Sequence, residues 1–156
     1  VEFVYGGSDV GWGITVDRIT RHTFRLYDST TTLVTGVFTK IIFSSTTWDT
    51  GLILSSSSGV IRRPGPYQCE GYSGSGLLDI GEYHVLGFYE DAVFIPGSYG
   101  VSSVSPASAS LYSSRCAEFV FAAGKQIDMR GFQNEGANQA VLDPVFSMRE
   151  MPPRVL

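Results

Sequence analysis

Gly65 to Ser75 reads GPYQCEGYSGS, and the alternation in this stretch decides the fold. Tyr67, Cys69 and Gly71 fall on one face of a two-residue period, and Gln68, Glu70 and Tyr72 fall on the other. The segment is therefore a β-strand with one face turned inward, entered through Gly65. Gly71-Tyr72-Ser73-Gly74-Ser75 approaches the form of a nucleophile elbow, but it lacks the final glycine and the strand-to-helix context that the elbow requires. It reads instead as a strand whose small residues admit close packing.

Two further phrases extend the pattern. Thr39 to Gly51 (TKIIFSSTTWDTG) places Ile41 and Phe43 on one face of a short strand that is expected to turn at Asp49, Thr50 and Gly51. Ala123 to Gly136 (AGKQIDMRGFQNEG) enters through Gly124 and alternates Ile127, Met129 and Gly131 against Asp128, Arg130 and Phe132. It leaves through Asn134 and Gly136, and a final strand follows over Val145 to Met151 with Phe146 and Met148. Short apolar runs are separated throughout by Gly, Pro, Ser and Asp clusters, and no stretch sustains a helical period. A chain of 156 residues has room for one such core. The composition predicts an all-β sandwich or jelly roll.

In these phrases and their order the chain resembles the complement-type globular head, a branch of the tumour necrosis factor-like jelly rolls. It looks most similar to the versions at the ends of bacteriophage fibres. Thr39, Lys40, Ile41, Phe43, Thr46, Trp48, Asp49, Thr50 and Gly51 match the strand and turn of that branch, and Gly65 and Tyr67 match its Gly-x-Tyr entry. Ala123, Gly124, Ile127, Phe132, Gln133, Asn134 and Gly136 match its late strand. The resemblance covers roughly residues 23–151 and implies a jelly-roll β-sandwich of two antiparallel sheets, assembled as a three-fold homotrimer on a stalk. Residues 22–156 would be the head domain, and residues 1–21 a stalk end or an extra N-terminal strand. The chain opens on Val1 rather than Met, so a fragment or processed product is expected. The same resemblance puts the strands of Cys69 and Cys116 in opposite sheets.

Charge and motifs narrow the function classes. A formal net charge of -4 with scattered basic residues disfavours nucleic acid. Arg62 and Arg63, the only adjacent basic pair, read as solvated side chains at a strand edge. No apolar run is long enough for a membrane helix, and no membrane insertion is expected. Cys69 and Cys116 read as two buried, inert thiols. His22 and His84 lack a second ligand at metal spacing, so neither a metal nor a cofactor is expected. Glu90 with Asp91, and Asp79 with Glu82, read as solvated loop charge. No catalytic constellation is expected, and the reading is non-enzymatic.

The aromatic residues point to recognition. Phe43, Tyr67, Phe119, Phe121 and Phe146 belong to strand patterns and are expected in the core. Trp48, Tyr83, Tyr99 and Tyr112, with Asp49, fall in or beside polar stretches and are the candidate receptor-binding residues. Pro96 to Ser114 is read as a long surface loop able to carry such a site. Phe88 with Tyr89, and Val93 with Phe94 and Ile95, are apolar residues beyond the needs of one core, available to a trimer interface. Three readings stand: a phage-fibre or virion head that binds a host cell-surface receptor, a glycan or a protein; a purely structural trimerisation cap; and a secreted complement-like or cytokine-like recognition domain.

Overall fold

A computed structural model describes residues 23–50, 54–55, 57–104, 107 and 109–152. The expected stalk or extra strand over residues 1–21 lies outside the described residues. Among the described residues thirteen strands follow one another: β1 (Thr23–Ser29), β2 (Thr32–Leu33), β3 (Thr39–Lys40), β4 (Phe43–Thr50), β5 (Leu54–Ser55), β6 (Ser58–Val60), β7 (Gly65–Leu78), β8 (Tyr83–Glu90), β9 (Val93–Phe94), β10 (Gly100–Ser103), β11 (Ala109–Phe121), β12 (Gln126–Gln133) and β13 (Gln139–Glu150). No helix occurs among the described residues.

The strands form two antiparallel sheets. In the first the order is β11-β7-β13-β1-β4, with β2 paired to β13; in the second it is β10-β8-β12-β6-β5, with β3 on β12 and β9 on β8. The sandwich closes over Phe146, whose ring meets Phe24 at 5.1 Å, Phe88 of the facing sheet at 5.7 Å and Phe43 at 6.3 Å. Leu26, Tyr67, Cys69, Phe121 and Met148 from the first sheet face Leu86, Ile127 and Met129 from the second. Each such side chain contributes about 2 kcal/mol through burial. Gly71 sets the spacing: a Cβ there would lie 2.8 Å from Met129 Sδ and 2.9 Å from both Leu86 Cδ2 and Phe88 Cε1. The facing sheet comes that close because β7 lowers its profile at this point.

Several expectations are met residue by residue. Ile41, Phe43, Tyr67 and Phe146 are buried. Gly65 and Gly124 take the positive φ values of 151° and 86° that suit glycine, and the Asn134 side-chain oxygen accepts the Tyr83 N–H at 2.7 Å. Gly136 stands in open space.

Other expectations are corrected. Asp49 and Thr50 do not form a turn: β4 runs through them, opposite Phe24 and Thr23, because pairing with β1 outweighs their turn preference. Phe119 is half-buried at the core margin rather than in the core, while Phe132, half-buried, faces outward as its alternation with Ile127 and Met129 requires. Cys116 is exposed rather than buried. It opposes Glu70 while Cys69 opposes Ala117, so the two thiols lie on opposite faces of adjacent strands in one sheet, and both are free.

Candidate functional site

The second sheet carries aromatic residues on both faces. Along β8 the inward positions are His84, Leu86 and Phe88, which leaves Tyr83, Val85, Gly87 and Tyr89 outward. On β12 Asp128, Arg130 and Phe132 share that outward face, with Asp128 opposite Tyr89 and Phe132 opposite Val85. The turn after β2 delivers Phe38 to the same place, anchored by the Gly36 N–H donating to the Gln133 carbonyl at 2.9 Å.

These side chains make a continuous ribbon of six rings. Tyr83 stacks on Phe132 at 5.8 Å, Phe132 meets Phe38 at 5.0 Å, and Phe38 meets Tyr89 at 5.7 Å and Phe94 at 6.3 Å. Phe94 packs edge-on against Tyr89 at 5.5 Å and passes the ribbon to Tyr99 at 6.2 Å. Gly87 makes room for it, since a Cβ there would sit 3.2 Å from the Phe94 ring. The Arg130 guanidinium lies 4.3 Å from the centre of the Tyr89 ring and donates to Asp128 Oδ1 at 2.9 Å. The hydrogen bond to Asp128 raises the Arg130 pKa above its ordinary value, and burial raises that of the Tyr89 phenol. The pair is thereby neutral overall and braced from below by the ring. Tyr99 is 51% exposed and its neighbour on the same face, Val101, 53%. The ribbon thus presents half-buried rings tilted against one another, with Tyr89 buried beneath, the Tyr99 ring open and phenol hydroxyls at its two ends, a surface suited to stacking and to hydrogen bonding.

The structure sorts the candidate residues into separate places. Tyr83 and Tyr99 stand at opposite ends of the ribbon. Tyr112 does not lie in a loop: it is within β11, on the outward face of the first sheet, stacked on Tyr72 at 5.3 Å and donating its hydroxyl to Asp143 Oδ2 at 3.1 Å. Its phenol pKa is raised by that bond. Asp49 is exposed on β4, and the Trp48 side chain lies outside the described residues. The expected loop over Pro96 to Ser114 is interrupted by β10 and the start of β11. Beside Tyr72 a hollow of about 270 Å³ is lined by Arg25, Glu70, Cys116, Val145 and Ser147. Among the described residues no group of His, Cys, Asp or Glu could hold a metal ion.

Phe38 was not singled out from the sequence; Tyr89 and Phe94 stood out only as apolar residues available to a trimer interface, and Phe132 only as a motif residue. The available signal was Tyr83-His-Val-Leu-Gly-Phe-Tyr89, apolar on both faces, which marks a strand covered on both sides.

No protein-family model matches the chain, and no curated protein is similar to it in sequence. Solved structures are similar in fold. The globular domain of zebrafish complement 1qA superposes with a TM-score of 0.65 at 16% identity, over 85% of this chain and 99% of that one. The fold is the jelly roll of complement globular heads and tumour necrosis factor-like ligands. Murine APRIL at pH 8.0 shares this jelly roll with a TM-score of 0.61 at 9% identity, covering 84% of this chain and 99% of its own. Eiger TNF from S. frugiperda does so with 0.58 at 7%, covering 88% and 96%.

Proposed function

We propose that this jelly roll is a non-enzymatic homotrimeric head of a phage fibre or related virion protein, and that it binds a host cell-surface receptor through the six-ring ribbon. The observation that carries the reading is the ribbon itself, a rigid aromatic strip on a sheet face with Tyr99 and Val101 open to solvent. The motif resemblance to fibre heads supports the virion setting. Trimerisation would cover the outward face of the first sheet, which carries Val120, 81% exposed, towards one end of β11 and the stacked pair Tyr72 and Tyr112 towards the other. Three weak sites on one head then bind with avidity. A glycan suits the ribbon, since sugar rings stack on aromatic faces and the Arg130–Asp128 pair leaves the strip without net charge.

The test is mass in solution by light scattering, followed by binding to intact candidate host cells. A trimer is expected, with saturable binding that Tyr99→Ala and Tyr83→Ala each weaken at least tenfold while the trimer persists. A stable monomer, or a trimer whose binding ignores both substitutions, overturns it.

A second reading follows the proteins that share the fold, a complement domain, APRIL and a TNF: a secreted recognition domain. One sign expected of it, a Cys69 to Cys116 bridge, is excluded within one chain by the placement of the two thiols.

A further inference from the structure

His84 is wholly buried between the sheets, at the end of the sandwich away from the Phe146 cluster. Its neighbours are polar but short of partners. Ser113 Oγ of β11 lies 3.0 Å from His84 Nδ1 and 3.0 Å from the His84 carbonyl oxygen, and 3.3 Å from Ser102 Oγ of β10. The single Ser113 proton is claimed by the carbonyl or by Ser102, so Nδ1 carries the imidazole hydrogen and donates it to Ser113. Nε2 is left as a bare acceptor over Gly131, and it has no hydrogen-bond partner; the buried hydroxyls of Ser73 and Ser75 on β7 have none either.

This cluster lies under a seam between the two sheets. β10 and β11 are edge strands of different sheets, and side-chain bonds to backbone tie them together: Ser102 Oγ donates to the Tyr112 carbonyl at 2.6 Å, and the Arg115 guanidinium donates to the Gly97 carbonyl at 2.6 Å. Ser113 links the seam to β8 through His84.

As the cluster stands, no acceptor lies within hydrogen-bonding distance of His84 Nε2, so a proton there has nothing to bind. Ser113 of β11 bonds the ring at Nδ1, Ser102 of β10 and Gln133 of β12 are the register neighbours of His84, Gly131 lies beneath Nε2, Ser73 of β7 is paired with Ser113, and Arg115 stands two positions along β11 from Ser113. The Gln133 amide is occupied by the carbonyls of Leu33 and Ala137 and by the Glu135 N–H. Arg115 is the charged side chain among them, and it has the same sign as an imidazolium.

We propose that the β10–β11 seam is an acid-operated latch: proton uptake by His84 parts β10 from β11 and admits water to the imidazolium, while the rest of the sandwich, with Tyr112 still paired to β7, stays folded. The proton needs water because the closed cluster supplies Nε2–H with no acceptor. The nearest solvent lies across β10, the single strand between His84 and the sheet edge. Burial lowers the imidazole in the closed state from the ordinary 6.5 to about 4. Opening is therefore favoured progressively as pH falls from 6.5 towards 4, by up to about 300-fold for a displacement of that size.

The experiment is site-resolved hydrogen exchange on the full chain at pH 7.5 and pH 4.5, with rates corrected for intrinsic pH dependence. The amides of β10, Gly100 to Ser103, are expected to lose protection at least tenfold more than those of Met129 and Phe146. The His84→Gln variant should keep seam protection at pH 4.5. Unchanged seam protection, parallel loss across core and seam, or the same loss in His84→Gln overturns the latch. Should that variant fail to fold, an NMR titration of the wild-type ring decides the matter. A depressed midpoint accompanied by shifts of the seam amides supports the latch, and an ordinary midpoint with a silent seam refutes it.

Discussion

Gly100→Ala tests the geometry of the seam directly. A Cβ at this position would press on the Ser114 carbonyl oxygen of β11 and lie 3.1 Å from the Ser114 carbonyl carbon and 3.6 Å from its nitrogen. The obstacle is backbone, which cannot rotate aside as a side chain can. A relaxed carbon-to-oxygen contact is about 3.3 Å or longer, so β10 must withdraw by roughly 1 Å. That movement stretches the Ser102-to-Tyr112 and Arg115-to-Gly97 bonds, each worth about 1 kcal/mol net, and adds overpacking strain of a similar size. The expected loss is about 2–3 kcal/mol, read as a fall in Tm of about 6–9 °C in a domain of this size. Thermal unfolding followed by circular dichroism measures it, with Gly136→Ala as the control, since nothing lies within 4 Å of a Cβ there. If Gly100→Ala melts within about 2 °C of the control, the close approach of β10 to β11 is wrong.

Three further outcomes are expected. Ala92→Gly should stabilise the protein by about 0.5–1 kcal/mol in a urea titration, because Asp91 and Ala92 form the two-residue turn between β8 and β9 at φ values of 47° and 68°, a region that penalises a Cβ. Stability should decline with acid through His84: the folded state holds the imidazole near 4 against an ordinary 6.5, so the contribution is full above pH 6.5 and is lost as pH falls towards 4, by about 3 kcal/mol. Urea midpoints at stepped pH would show this, and a flat profile in wild type would contradict it. Alkylation of the native protein should spare Cys69 and reach it only in denaturant, because it is buried and burial pushes its thiol pKa far up; intact mass with peptide mapping reports which thiol reacts.

The alternating strands were legible because their side chains obey one period. Tyr67, Cys69 and Gly71 point inward as their spacing requires, and so do Ile127, Met129 and Gly131. Parity also held the answer for Cys116: Phe119 and Phe121 take the inward odd positions of β11, which sends the even-numbered Cys116 outward. The extent of β4 was not legible, because Asp49 and Thr50 favour turns locally and are held in a strand by their partners on β1. The same holds for Tyr112, whose Ser-rich neighbourhood reads as loop but is paired along its length with β7. The ribbon was only half visible. Tyr83 and Tyr99 stood out as aromatics in polar surroundings, whereas Phe38, Phe94 and Phe132 joined them only through a tertiary meeting of a turn, a hairpin and a strand.

The position of β13 bears on how the chain is made. It lies between β7 and β1, and its residues pair with both. A ribosome delivers this strand after the other twelve, so the first sheet exists until then as two unattached pieces, β11 with β7 and β1 with β4. Each piece exposes an open inner edge and an apolar face during synthesis. Assembly of the first sheet therefore waits for β13 and is an event of high contact order, and the nascent domain is most vulnerable to aggregation just before Gln139 to Glu150 emerges.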